Sequence, residues 1–85
     1  MNWQIYVAGQ ARRQIKRLTK KDAGRIEEVI DAMTANPFLG DIEKLKDQEN
    51  AWRRRIGAYR ILYEVLIEKK LVYIYDVKRR TSKTY

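Results

Sequence analysis

The sequence predicts an α+β fold in which one strand, two helices and three further strands follow in the order β-α-α-β-β-β. Two patterns predict it. Apolar residues recur at helical spacing across residues 11–33, whereas the start of the chain and the part after residue 50 are rich in β-branched and aromatic residues. The length of 85 residues fits one domain, 1–85. We expect an antiparallel sheet with the N-terminal helical hairpin packed on one face.

The N-terminal part predicts the first strand and the helical hairpin. The segment Trp3 to Ala8 has the composition of a strand, and Gly9 ends it. A short amphipathic helix follows, with its apolar stripe at Ala11, Ile15 and Leu18. Thr19 and Asp22 resemble a capping arrangement for a second helix, which ends at Asn36-Pro37. The apolar positions of the second helix are Ile26, Val29, Ile30 and Met33.

The C-terminal part predicts a meander of strands. Residues 36–50 contain Pro37, Gly40 and Asn50 and are interpreted as a structured loop. The strands are then expected at 52–56, 60–67 and 71–78, joined by short turns.

The charge of the chain is unevenly distributed. Nineteen Lys and Arg residues against eleven Asp and Glu give a net charge of +8. Residues 1–49 carry nine basic and eight acidic side chains, whereas residues 50–85 carry ten basic and three acidic ones. Such concentration indicates a surface that collects polyanions, and the alternative is a solvated basic face without a partner.

The residue types exclude several chemistries. The chain has no Cys and no His, which excludes disulfides, thiol nucleophiles, a His base and zinc sites with these ligands. No apolar run approaches the roughly 20 residues of a membrane span, and the N-terminus lacks the regions of a signal peptide. We therefore expect a cytoplasmic protein whose chemistry depends on Lys, Arg, Tyr, Asp, Glu, Ser and Thr.

A cluster of cations is the candidate site. Alternation along a strand places Arg53 and Arg55 on one face, and Arg60 begins the next strand after a tight turn. In a meander the end of the third strand returns to Arg60, which brings residues 78–80 close, with Tyr85 tethered beyond. Guanidinium forks suit phosphate oxygens and the extra charge of a phosphorane, which forms when RNA is cleaved by its own 2′-hydroxyl.

Each element of this cluster has a structural alternative. The run 53–55 could have no role beyond protecting an exposed strand from edge pairing. Residues 78–83 could be a frayed tail. Trp52 is interpreted as a core anchor, with base stacking as the alternative. The acidic residues after Gly40 do not match a calcium loop, because Leu45 stands where an oxygen ligand is needed. The tyrosines interpreted as core or sheet-packing residues are Tyr6, Tyr63, Tyr73 and Tyr75.

These motifs together resemble the RelE branch of the RelE/ParE superfamily of toxins from type II toxin-antitoxin modules. The likeness covers essentially the whole chain. It is carried by Asn36-Pro37, Gly40, Lys44-Leu45-Lys46, Trp52-Arg53-Arg54-Arg55-Ile56-Gly57, Tyr59-Arg60-Ile61-Leu62-Tyr63-Glu64-Val65, Val77-Lys78-Arg79-Arg80 and Tyr85.

The resemblance implies a ribosome-dependent endoribonuclease that cuts messenger RNA in the ribosomal A site and is neutralised by a cognate antitoxin. It implies no metal, no cofactor and no membrane partner. By resemblance, Arg53 and Arg55 bind and polarise the substrate and help to activate the 2′-hydroxyl, and Arg60 stabilises the phosphorane. Arg80, or Arg79 if the register shifts by one, assists the leaving group, and Tyr85 orients the attacking group or stacks on a base. The further substrate-binding residues are Arg54, Lys78, Arg79 and Lys83.

Two other functions remain open at this point. A ParE-like inhibitor of DNA gyrase would share the fold without needing Arg60, Arg80 and Tyr85 together. A non-catalytic RNA-binding module would need only the basic C-terminal segment. On the helical hairpin, an acidic amphipathic antitoxin segment could bind along Arg12, Arg13, Lys16 and Arg17.

Overall fold

The computed structural model describes residues 2–79, and the α+β class is confirmed. Its elements follow the predicted order with one additional strand. Their bounds are β1 Gln4–Val7, α1 Gly9–Lys16, α2 Lys20–Ala32, β2 Ile42–Lys44, β3 Ala51–Ile56, β4 Tyr59–Leu66 and β5 Leu71–Arg79, with a 3-10 turn at Ile67–Lys69. Within residues 2–79, neither helix has the length and apolar character that crossing a membrane requires.

The sheet is mixed rather than wholly antiparallel, which corrects the expected strand directions. Its order is β1-β5-β4-β3-β2. β5 pairs antiparallel with β4, whereas β1 pairs parallel with the other edge of β5, with Tyr6 opposite Tyr73. Parallel pairing requires a long connection that returns the chain to the same end of the sheet. Here that connection contains both helices, which follow β1 in the sequence.

β2 forms within the segment that was expected to be a loop. Its three residues pair antiparallel with β3, so that Glu43 lies opposite Arg53 and Lys44 opposite Trp52. A strand this short, with two of its three residues charged, lacks the composition that identifies strands in a sequence. Short charged strands are typical of sheet edges, where they discourage pairing with other chains.

Both helices contribute to one core on one face of the sheet. Ala11 and Ile15 of α1 and Ile26 of α2 are buried with Ile61 and Tyr63 of β4. Alternate residues of β4 are buried, so the residues between them project from the opposite side of the sheet. We call that opposite side the open face; on β4 it carries Arg60, Leu62 and Glu64.

A polar contact holds the loop after α2 on the core. The buried Tyr63 hydroxyl donates a hydrogen bond to the Pro37 carbonyl oxygen at 2.7 Å, and Pro37 itself is fully buried. The amide of Phe38 donates to the Asn36 side-chain oxygen at 2.9 Å. These contacts fix the point from which the chain enters β2.

Candidate functional site

Cations from three neighbouring strands share the open face. Arg55 of β3 is the register partner of Arg60 of β4, and Arg60 is the partner of Lys78 of β5. Register partners project to the same side of a sheet, and Arg53 lies two residues from Arg55 on that side. The structure therefore brings together four of the cations that the sequence predicted to converge.

Three of these cations line a small pocket of about 120 Å³. Its walls also contain two acidic residues, one just before β2 and one within it. The lining residues are Asp41, Glu43, Arg53, Arg55 and Arg60. The pocket is thus a polar concavity with guanidinium groups from two strands and carboxylates from the segment beside them.

The two carboxylates pair with two of the three arginines. Arg55 Nε donates to Asp41 Oδ2 at 3.0 Å, and the Arg55 amide donates to the Asp41 carbonyl at 2.9 Å. The Arg53 guanidinium donates to the Glu43 carboxylate. Both pairs are solvent-exposed, so each stabilises the fold by about 0–1 kcal/mol and can be exchanged for a bound anion.

Arg60 differs from its neighbours because, among residues 2–79, no carboxylate lies within salt-bridge distance of it. It occupies the centre of the row, between Arg55 and Lys78. A partly buried guanidinium without an internal counter-ion is the group in this pocket that is most available to a phosphate.

The structure separates Lys78 from Arg79. The exposed ammonium group of Lys78 lies on the open face, 3.8 Å from Asp76 Oδ2. Arg79 is the register partner of the buried Tyr59, and its guanidinium carbon is 5.8 Å from the centre of that ring. Arg79 is therefore on the helix side, and only Lys78 of the two reaches the row.

Arg54 is not brought to the pocket, although it was predicted to bind substrate. It projects to the helix side, where Nη1 lies 3.4 Å from the Leu39 carbonyl oxygen. Gly40 permits this approach, because a Cβ at its position would lie 1.4 Å from Arg54 Nη1 and its φ is +92°. Arg54 holds the loop before β2 against β3, which supports the pocket from behind.

The remaining predicted site residues lie outside the described residues: Arg80, Lys83 and Tyr85. Conversely, two pocket residues were missed by sequence reasoning, which considered Asp41 and Glu43 only as calcium ligands. The sequence did contain a signal for these two acids. Asp41 and Glu43 are two residues apart, as are Arg53 and Arg55, so antiparallel pairing of the two segments places each acid beside one arginine.

Solved structures define the class of protein that has this fold. The chain is similar to a chain of the archaeal RelE–RelB complex from Pyrococcus horikoshii OT3, with a TM-score of 0.87 and 25% identity over 98% of this chain and 100% of that one. It is similar to the isolated RelE toxin of E. coli, with a TM-score of 0.82 and 16% identity over 95% and 87%. The architecture is therefore that of the RelE toxins.

Sequence comparison identifies the family. Residues 5–83 match the model of the ParE toxin of type II toxin-antitoxin systems. A toxin of Methanocaldococcus jannaschii named RelE1 is 26% identical over 83 residues, which are 94% of this chain and 92% of that protein. The chain belongs to the RelE/ParE superfamily and is a toxin of the type II toxin-antitoxin class. The resemblance drawn from the motifs is confirmed.

Proposed function

We propose that this toxin is a ribosome-dependent endoribonuclease that cleaves messenger RNA in the A site by attack of a 2′-hydroxyl on the adjacent phosphate. The observation that carries the proposal is the pocket in which Arg53, Arg55 and Arg60 surround one space on the open face. Three guanidinium groups in one concavity suit a phosphate whose negative charge increases in the transition state.

The contacts of the three arginines support a division of roles among them. Arg60 has no counter-ion among residues 2–79, so its guanidinium is ready to hold the non-bridging oxygens of the phosphorane. Arg53 and Arg55 bind the phosphate when it replaces their internal partners, which are Glu43 for Arg53 and Asp41 for Arg55. The exchange costs little, because exposed ion pairs are weak.

The carboxylates supply a proton acceptor that the arginines cannot. A guanidinium is protonated throughout the physiological range, whereas a carboxylate accepts protons readily. When phosphate displaces Glu43 or Asp41 from its arginine, the released carboxylate lies beside the substrate and takes the proton of the 2′-hydroxyl. The 2′-oxygen then bonds to phosphorus and the bond to the 5′-oxygen breaks. The assignments of Arg80 as proton donor to the leaving oxygen and of Tyr85 as the orienting residue rest on the resemblance alone.

We further propose that a cognate antitoxin binds the helix side. RelE of P. horikoshii and RelE of E. coli have each been solved in complex with RelB. Here a groove of about 490 Å³ lies between α1, α2 and β1. Its charged lining residues are Arg12 and Lys16 on α1 and Glu27 and Asp31 on α2, and its apolar lining residues are Ile5, Val7, Ile15 and Ile30. An amphipathic segment with an apolar stripe, and with carboxylates on the side that meets Arg12 and Lys16, matches these features.

The alternative function is inhibition of DNA gyrase, which is favoured by the match to the ParE family model. A gyrase inhibitor would act through protein contact and would not require the guanidinium of Arg60 in a phosphate pocket. The two functions therefore predict different consequences of removing Arg60.

Mapping the ends of messenger RNA in translating extracts tests the proposal. We expect cuts within translated codons when ribosomes are present, with loss of these cuts in Arg60→Ala. Lys21→Ala removes the same charge from an exposed position of α2 and is the matched control, which should cut like the wild type. Intact messages together with inhibited gyrase would overturn the proposal and support the alternative.

A further inference from the structure

The open face carries a row of aromatic rings beside the cationic pocket. Tyr6 and Tyr73 are register partners whose ring centres are 5.4 Å apart with planes inclined by 12°. Tyr73 and Tyr75 stack at 6.4 Å and 25°. Tyr6 is 53% exposed. We call these three residues the tyrosine row.

The row is continuous with the pocket. Along β4 and β5 the register runs from Arg60 opposite Lys78 to Glu64 opposite Tyr73. Four residues of strand span about 13 Å. The irregularity between Leu62 and Tyr63 inserts Tyr75 into β5, and its stacking on Tyr73 places it on the open face between Lys78 and the rest of the row.

From this placement we infer that the tyrosine row is a base-stacking subsite for single-stranded RNA whose phosphates lie on the cations of the pocket. The inference rests on the proposed function and deepens it by assigning residues that hold nucleotides next to the cleaved bond. Tyrosine faces stack on every base, so such a subsite holds RNA with little preference for sequence.

The charges around the row favour bases over phosphates at this position. On the open face, Asp76 lies between the pocket and Tyr73, Glu64 lies directly opposite Tyr73, and the Asp76 carboxylate is nearly buried. Carboxylates repel the RNA backbone, which therefore follows the arginines while the bases extend over the rings. Burial raises the pKa of the Tyr75 phenol, and Glu64 and Asp76 raise it further, so that the ring stays neutral.

Packing alone does not account for the exposure of Tyr6, which has the most exposed aromatic ring among residues 2–79. Tyrosines that serve the core of this protein are enclosed, as Tyr63 is, with a hydroxyl hydrogen-bonded inside the fold. Tyr6 lies on an edge strand and stacks on Tyr73, yet more than half of its surface is exposed, which leaves ring surface accessible to a base.

The test measures binding of a fluorescent single-stranded RNA of about 12 nucleotides, within the range of single-strand sites. Its 2′-positions are methylated, which prevents cleavage, and the dissociation constant is measured across a salt series. Tyr6→Ala is expected to weaken binding by about 5- to 100-fold without changing the salt dependence. Arg60→Ala is expected to lower the slope of log Kd against log salt by about 0.7, because it removes a phosphate contact.

Two conservative variants separate stacking from packing. Tyr6→Phe keeps the ring and should bind like the wild type, whereas Tyr6→Leu keeps an apolar side chain and should bind like Tyr6→Ala. Tyr6→Phe keeps the stacking on Tyr73 and should unfold at the temperature of the wild type. Tyr6→Ala and Tyr6→Leu lose this stacking and should each unfold at a lower temperature, so binding is measured at a temperature at which every variant is folded. Compared with intact RNA, an RNA with abasic positions should bind the wild type more weakly. The same change should weaken RNA binding by Tyr6→Ala less, because only Tyr73 and Tyr75 remain to stack on bases.

Three results would overturn the inference. Equal RNA affinity in all Tyr6 variants, with cleavage still lost in Arg60→Ala, would reject the tyrosine row and leave the proposed function standing. Loss of antitoxin binding with unchanged RNA affinity would make the row a protein contact. A wild type without affinity for the RNA would reject the tyrosine row, and absence of cleavage in translating extracts as well would reject the proposed function too.

Discussion

Individual residues of the pocket differ in how their charges are balanced. Arg53 and Arg55 each have a carboxylate partner, and Arg60 has none among residues 2–79. In the proposed reaction Arg53 and Arg55 each give up a weakly bound carboxylate to bind substrate, whereas Arg60 binds substrate without first losing a partner. Its loss should therefore affect the reaction most directly.

The first prediction concerns Arg60. Arg60→Ala should lower the cleavage rate by about 10²- to 10³-fold, because it removes a fixed donor to the phosphorane. Arg60→Lys should retain part of the rate, since it keeps the charge and loses the planar fork. Single-turnover cleavage on programmed ribosomes measures both rates. Equal rates for Arg60→Ala and the control Lys21→Ala would exclude Arg60 from the site.

The second prediction separates binding from chemistry at Glu43. Glu43→Gln should tighten RNA binding, because it removes a negative charge from the pocket, and should slow cleavage by about 10²- to 10⁴-fold, because it removes the proton acceptor. Asp41→Asn is the matched variant that shows which carboxylate accepts the proton. Measured rates and dissociation constants that move in parallel would contradict this role for Glu43.

The arginine row was predictable because side chains alternate along a strand with a period of two. The same rule places Arg54 on the opposite side, where the structure has it. The carboxylates could not be assigned, because their position depends on β2, and three residues with two charges carry little strand signal. The pocket was thus predicted as a set of cations without the acids that balance two of them.

At the scale of elements, the loop between α2 and β2 determines where the pocket forms. Tyr63 anchors its first residues through the Pro37 carbonyl, and Gly40 lets its last turn pass close to Arg54. Both contacts lie on the helix side, away from substrate. Changes there should alter stability first and activity second.

The third prediction concerns the pH dependence of stability through Tyr63. Burial raises the pKa of this phenol to about 12, although the charge of Arg54 opposes the shift. Above pH 10 the unfolded chain releases this proton and the folded chain keeps it, so the free energy of unfolding falls between about pH 10 and 12, by about 2–3 kcal/mol.

Tyr63→Phe tests this linkage. At pH 7 the variant should be less stable by about 1–3 kcal/mol, because the Pro37 carbonyl loses its buried donor. Since phenylalanine does not titrate, the difference should shrink as the pH rises above 10. Urea unfolding at a series of pH values measures it, and a difference that stays constant to pH 12 would contradict the linkage.

The fourth prediction compares two glycines. Gly40→Ala should destabilise the fold by about 1–2 kcal/mol, because φ at this position is +92° and the new Cβ would displace the Arg54 side chain. Gly24→Ala lies within α2, with nothing within 4 Å of the added Cβ, and should stabilise by about 0.5–1 kcal/mol. Thermal unfolding measures both changes, and the same sign for both would contradict the explanation.

The direction of β1 illustrates what local patterns omit. Its composition predicts a strand, and nothing in residues 3–8 specifies which edge of the sheet it joins. The parallel pairing with β5 joins residues separated by more than sixty positions, with Gln4 opposite Leu71. Such a pairing is decided by the shared core beneath both strands, where Ile5 and Val7 pack with buried residues of β5.

For the whole molecule, the two sides of the sheet have different tasks. The helices cover one side and form the groove that we assign to the antitoxin, while the open face carries the cations and the tyrosine row. The element order and the basic C-terminal half were predictable from composition and periodicity. The assignment of residues to sides required the register of every strand.

The fifth prediction follows from this distribution of charge. RNA binding should weaken as salt increases, with a slope of log affinity near −2 to −3, because each of the four open-face cations that meets a phosphate contributes about −0.7. The salt series described above gives this slope for the wild type. A slope near zero would mean that the cations of the open face do not meet phosphates.

β5 has neighbours on both edges although it is the last strand that the structure describes. A polypeptide truncated before Leu71 would leave β1 and β4 without their shared partner and the core without Val72, Ile74 and Val77. We therefore expect interrupted synthesis of this toxin to yield fragments that lack the complete sheet and a large part of its core. Polypeptides truncated before Leu71 should therefore not be toxic.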